Sequence, residues 1–175
     1  MADDVATLKA AIRDVPDFPK EGILFKDITT LLKDPKMFRL AVDRFTDLVA
    51  GRGLDKVVAI ESRGFIFGSV LADRIGAGFV PVRKPGKLPW KTHRASYQLE
   101  YGTDSLEIHQ DAVSAGDKVL VVDDVIATGG TAAAVGELVG LSGATVAAYA
   151  FLVELAFLKG RDKLAGSEVL ALIQY

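Results

Sequence analysis

Val119-Leu120-Val121-Val122 is an unbroken apolar run, and a run without polar alternation suits a strand buried on both faces of a parallel sheet. Comparable short runs, rich in aliphatic and β-branched residues and bounded by polar or glycine-containing stretches, predict strands at Lys56–Glu61, Phe79–Arg83, Lys118–Asp123, Thr145–Leu152 and Val169–Ile173. Between them the apolar positions change to helical spacing. Val5, Leu8, Ala11 and Ile12 predict a first helix from about Val5 to Arg13, ended by Pro16. Proline in the first turn and Gly51 beyond the end predict a second helix over Pro35 to Ala50, and further helices are expected at Phe65–Arg74, Thr131–Leu141 and Ala156–Leu164. Pro16 to Leu32 reads as a connecting segment. The alternation predicts an α/β fold built on a doubly wound, mostly parallel sheet.

One stretch interrupts the alternation. Tyr97-Gln98-Leu99-Glu100 and Ser105-Leu106-Glu107-Ile108 flank Tyr101-Gly102-Thr103-Asp104, which predicts a β-hairpin. Lys84 to Arg94 before it is rich in proline, glycine and positive charge and reads as a mobile loop.

Composition narrows the partners. The 175 residues suit one domain, half of them are hydrophobic, and a net charge of −2 removes the general attraction expected of a nucleic-acid binder. Small-molecule ligands fit better. With no cysteine and only His93 and His109 as histidines, neither a disulfide framework nor a local zinc motif is available, so any metal should be oxygen-bound. The acidic Met1-Ala2-Asp3-Asp4 has no apolar signal core and no run approaches a membrane span, so a cytoplasmic location is expected and no membrane partner.

The chemistry concentrates after the apolar run. Asp123 and Asp124 sit at the predicted strand end, followed by Ala127-Thr128-Gly129-Gly130-Thr131 at a predicted helix start. Free backbone N–H groups and the helix dipole favour a phosphate there, and glycine lets the anion approach those donors. The carboxylates repel phosphate but bind the hydroxyls of a ribose or the water shell of a magnesium ion. One ligand with a diol at one end and a phosphate at the other satisfies both halves. Neither a G-x-x-x-x-G-K-[ST] loop nor a G-x-G-x-x-G turn is present. Glu61-Ser62-Arg63-Gly64 repeats the logic of strand end, polar turn and helix start, while Arg83, Lys84 and Lys87 place cations after the next strand, where they would stabilise a leaving pyrophosphate.

These segments resemble the type I phosphoribosyltransferase family, whose signature for phosphoribosyl pyrophosphate (PRPP) is similar to Val119–Thr131. Asp17-Phe18-Pro19 with Gly22-Ile23-Leu24-Phe25-Lys26-Asp27-Ile28, and Ser96-Tyr97-Gln98-Leu99-Glu100-Tyr101-Gly102, are similar to the members that act on adenine. Leu152-Val153-Glu154-Leu155 and Leu158-Lys159-Gly160-Arg161 are consistent with them. The resemblance implies one domain over 1–175, with a small N-terminal hood to about 34 and a core from about 35, and a homodimer. It implies that adenine and PRPP give AMP and pyrophosphate with Mg2+, the ion being held by PRPP and water near Asp123 and Asp124 and not by direct protein ligands. Leu24, Phe25 and Lys26 would cover the base, Asp123 and Asp124 take the ribose hydroxyls, and Ala127 to Thr131 hold the 5-phosphate. Ser62, Arg63, Lys84 and Lys87 would bind pyrophosphate, with Lys84 preferred to Lys87; Arg63 would serve either the base or the pyrophosphate. Glu100 is the expected proton-handling group, with Tyr101 and Arg63 beside it in catalysis. A lid from roughly Pro85 to Tyr101 and a non-proline cis peptide near Glu61–Arg63 are also implied. Glu61 stands where some members have aspartate, and Lys26 where arginine is frequent. Another type I purine enzyme or a regulatory PRPP-binding protein are the alternatives; the regulator would carry an added DNA-binding domain, for which the chain leaves no room.

Overall fold

The computed structural model describes residues 2–98 and 103–175. Glu100, and Tyr101 and Gly102 of the expected hairpin tip, lie outside them.

Five strands, β3 (Lys56–Ile60), β4 (Gly78–Val82), β7 (Lys118–Ile126), β8 (Thr145–Glu154) and β9 (Val169–Gln174), form an all-parallel sheet in the order β4-β3-β7-β8-β9. The apolar run in β7 behaves as its pattern requires. Val119 and Val121 pack with helix α5 (Gly130–Leu141) and the hairpin, while Leu120 and Val122 pack with α3 (Pro35–Val49) and α4 (Gly64–Ile75) on the opposite face. Asp34 starts α3 by accepting from the N–H groups of Lys36 and Met37 at 2.8 and 3.2 Å, with Pro35 in the first turn, where a missing N–H costs nothing. Pro81 is tolerated in β4 because that strand lies at the sheet edge. Strand β7 runs three residues past the expected end, so Asp123 and Asp124 are held by its ladder with β8, not in a turn.

Three regions depart from the sequence expectation. The first helix, α1, covers Ala2–Ala11, and the supposed connector after it contains an antiparallel pair, β1 (Arg13–Pro16) with β2 (Leu24–Asp27), then the short helix α2 (Thr29–Leu32). These strands are four residues each, β1 mostly exposed and β2 half-buried at three consecutive positions, so neither shows the period-two alternation of a half-buried strand. The expected mobile loop is partly strand: β5 (Thr92–Gln98) pairs with β6 (Thr103–His109), and Arg83 pairs with Glu107. Ala95 is the one residue of β5 that is buried, which hides the pattern. Ala156–Leu164, expected to be one helix, is two 3-10 turns, Ala156–Leu158 and Gly160–Leu164, separated by Lys159 at φ 53°. A left-handed residue cannot continue a helix.

Candidate active site

The chain leaves β3 toward β4 and leaves β7 toward β8, in opposite directions, so the carboxyl ends of β3 and β7 open a crevice between them. Ligands of open α/β sheets bind at such a switch point. Glu61-Ser62-Arg63 leaves β3 there, and the peptide between Glu61 and Ser62 is cis, as the resemblance implies. Gly64 then starts α4 directly against β7. A Cβ at that position would stand 2.9 Å from both the Val122 carbonyl oxygen and Asp123 Oδ1, so only glycine allows the two elements to approach this closely.

Arg63 Nε donates to Asp124 Oδ2, and its guanidinium carbon lies 6.0 Å from the centre of the Phe25 ring. Asp124 is buried, so Arg63 links a carboxylate of the sheet to an aromatic ring of the hood. Partial burial opposes the charge on Arg63, but Asp124, Asp123 and Asp27 outweigh it and hold the guanidinium above its ordinary range. Asp123 moves the other way for a carboxyl: withdrawal from water, then the Asp124 charge, push it well above the usual value. The residue is surrounded by protein yet open to the crevice, which explains a partly accessible side chain with a strong desolvation cost.

Three cavities meet at Asp123. An apolar cleft of about 340 Å³ is bordered by Leu24, Phe25, Lys26, Arg63, Leu155 and Leu158, with Asp123 and Asp124 at its end. A polar cleft of about 240 Å³ is bordered by Glu61, Ser62, Arg63, Lys84, Tyr97 and Thr131 together with the same two carboxylates. A small cradle of about 80 Å³ is formed by Asp123, Ala127, Thr128, Gly129 and Thr131, with Ala132 and Phe151 behind. Gly129, at φ 77°, caps α5, whose first N–H groups have no partner within the helix. Gly130, also expected at the cradle, is the first residue of α5 and is not among the described residues lining it.

The cations divide. Lys84 borders the polar cleft and its ammonium is paired with Asp104, with the Tyr97 hydroxyl 3.4 Å from the same carboxylate oxygen. Burial opposes that charge, but Asp104 and Tyr97 outweigh it and raise the ammonium's pKa. Arg83 is occupied elsewhere: it donates to both Glu61 oxygens at 3.3 and 3.1 Å, and the Lys84 N–H donates to Glu61 at 3.0 Å. These bonds hold Glu61 below the usual carboxylate range and tie the ends of β3 and β4 together. Lys87 is exposed and is not among the described residues lining the polar cleft. Lys26 borders the apolar cleft, but its ammonium donates to Asp14 at 2.6 Å and lies 4.0 Å from the centre of the Tyr175 ring.

Leu155, Leu158 and Tyr97 lie in segments that carry the resemblance without an expected role in the site, and Asp104 enters it without a local signal. Leu158 lies in the segment expected to be a helix, and Leu155 directly precedes it. Tyr97 and Asp104 face each other across the hairpin register, which brings them together beside Lys84 from opposite sides of its tip.

Residues 29–168 match the model of the phosphoribosyl transferase domain. An adenine phosphoribosyltransferase of Acaryochloris marina is 58% identical over 168 residues, 96% of this chain and 99% of the relative. Among solved structures, the adenine phosphoribosyltransferase of Thermoanaerobacter pseudethanolicus is 53% identical with a TM-score of 0.95 over 98% of this chain and 99% of that one. The Saccharomyces cerevisiae enzyme, complexed with adenine and D-2,5-dideoxy-2,5-imino-altritol 1,6-bisphosphate, is 45% identical with a TM-score of 0.93 over 99% and 100%. With its apolar cleft, acid pair and glycine-containing cradle meeting at the switch point, the chain belongs to the adenine phosphoribosyltransferases within the phosphoribosyl transferase domain family.

Proposed function

We propose that the protein transfers the 5-phosphoribosyl group of PRPP to adenine, giving AMP and pyrophosphate, a purine-salvage reaction. The observation that carries this reading is Asp123, which borders all three cavities and so marks the ribose between base, pyrophosphate and 5-phosphate. Adenine lies in the apolar cleft against Leu24, Phe25 and Leu158, with backbone groups of β2 available to its polar edge. Because the Lys26 ammonium is turned to Asp14, this residue contributes to the cleft through its backbone and aliphatic stem. Asp123 and Asp124 accept from the ribose hydroxyls, Ala127 to Thr131 hold the 5-phosphate, and Ser62, Arg63 and Lys84 receive the pyrophosphate, with Lys87 an outer cation. In the yeast relative, adenine accompanies a bisphosphorylated imino sugar, the combination of groups this arrangement suits.

As the purine N9–C1 bond forms and the C1–pyrophosphate bond breaks, the one ring proton that adenine gives up is shared between the purine N7 and Glu100, and Tyr101 orders the closed site. Apolar packing over the base excludes water that would otherwise capture the oxocarbenium-like centre. Among the described residues no group of three or more His, Cys, Asp or Glu side chains is placed to hold a metal by itself. The oxygen donors Asp123 and Asp124 fit the water shell of Mg2+ carried by PRPP, and the ion would neutralise charge developing on pyrophosphate. Among the described residues no helix is long and apolar enough to cross a membrane. A cytoplasmic homodimer completes the reading.

The test is to incubate the protein with PRPP, Mg2+ and labelled adenine, hypoxanthine, guanine or orotate, and to identify the nucleotide. AMP from adenine is expected, with chelation of the metal stopping turnover. A nucleotide from another base alone would overturn the assignment, and PRPP binding without any nucleotide would mark a regulator. In the same assay Glu100→Gln should lower kcat by roughly a hundredfold while adenine still binds.

A further inference from the structure

The phosphate loop touches a second backbone. A Cβ on Gly129 would stand 2.2 Å from the Gly160 carbonyl oxygen, and a Cβ on Gly160 would stand 2.3 Å from the Ala127 carbonyl oxygen and 3.1 Å from the Gly129 nitrogen. Two glycine backbones are thus in contact, and Gly160 forms a floor under the turn that presents Thr128 to Thr131. Nothing in the local conformation of Gly160 fixes it there. It is the first residue of the second short 3-10 turn, directly after a left-handed Lys159, with Phe157 nearby exposed.

The adjacent residue supplies the anchor. Arg161 Nε and Nη2 donate to the two oxygens of Glu154 at 2.6 and 2.7 Å, and Nη1 donates to the Val169 carbonyl at 2.7 Å. Glu154 is buried at the end of β8, where it pairs in register with Ile126, the last residue of β7 before the loop. Gln174 donates to the same carboxylate at 2.7 Å. Arg161 and Gln174 hold Glu154 below the usual carboxylate range despite its burial. The guanidinium therefore fastens the segment to β8 and β9 at the height of Ile126, just before the loop, using a planar fork that lysine lacks.

We propose that Arg161 is a positioning residue for the 5-phosphate site, acting through Gly160 on the Ala127–Thr131 loop. This rests on the loop being the phosphate site of the proposed reaction. A displaced floor lets the loop relax away from the phosphate, while the adenine cleft keeps Leu24 and Phe25 on β2 and also Leu158, whose turn is tied separately by the Leu158 N–H to the Leu155 carbonyl and the Leu155 N–H to the Ile126 carbonyl, both at 3.0 Å.

Titration calorimetry with AMP and with adenine separates the roles. Arg161→Met should weaken AMP about tenfold and adenine by less than about twofold, because loss of preorganisation acts on the group the loop holds. Arg161→Lys, which keeps the charge, should show a smaller selective loss and carries the test if the methionine variant does not fold. Gly160→Ala, placing a methyl where the Ala127 carbonyl stands, should reproduce the selectivity. Equal weakening of both ligands, as a merely structural role predicts, or unchanged AMP binding in folded variants overturns the proposal. Thr131→Val checks the underlying reading: if it leaves AMP binding intact while the Arg161 variants weaken it, the loop is not the phosphate site and the proposal falls with it.

Discussion

Asp123 is placed where its charge is costly and useful. Its carboxyl is pushed up by burial and then by Asp124, so between the ordinary value of 3.8 and its raised one the folded chain binds more protons than the unfolded chain. Stability therefore falls as pH rises through that window. Asp123→Asn removes the cost, and the expected outcome at neutral pH is a gain of about 1 kcal/mol in denaturant unfolding together with a severe loss of turnover. A variant both less stable and fully active would contradict the placement. The acid pair was legible in the sequence because two carboxylates before a glycine cradle have few structural uses. Asp104 was not, since its importance comes from Lys84 reaching it across the fold.

The hood shows the same division at the level of elements. Arg13 on β1 donates to Asp27 on β2 at 3.1 and 2.5 Å, and Asp27 also accepts from the Thr29 N–H at 2.9 Å, joining the hairpin to α2. These bonds, Arg13 first, lower the Asp27 pKa from 3.8 to about 2. The stabilisation is present above pH 3.8 and is lost as pH falls toward 2. Asp27→Asn should be modestly less stable at neutral pH and show a flatter decline on acidification, as followed by far-UV circular dichroism. An unchanged acid limb would mean that the bonds do not persist in solution. Neither short strand was legible, because each needs its partner to be ordered. The Glu61 turn was legible in kind, but its hold on Arg83 and the Lys84 N–H depends on β3 and β4 lying side by side.

At the scale of the molecule, Leu8, Ile12, Ile28 and Leu31 from the first 34 residues share one core cluster with Phe45, Phe67, Leu120 and Val122. The hood should accordingly not melt separately. At fixed protein concentration a single calorimetric transition is expected, coincident with loss of far-UV signal and with matching calorimetric and van't Hoff enthalpies; an earlier transition removed by deleting hood contacts would divide the chain into two folding units. The sequence by itself determined the parallel α/β architecture, the acid pair, the glycine-containing cradle and the Ser62-Arg63-Gly64 turn, because each depends on periodicity or on neighbouring residues whose chemistry is local. Only the tertiary structure decided that Arg83 is tied to Glu61, that the Lys26 ammonium faces Asp14, that Leu158 walls the apolar cleft and that Gly160 lies under the Ala127–Thr131 loop. Those assignments depend on which distant backbones approach one another, and such approaches are set by strand order and packing, which leave no period in the chain.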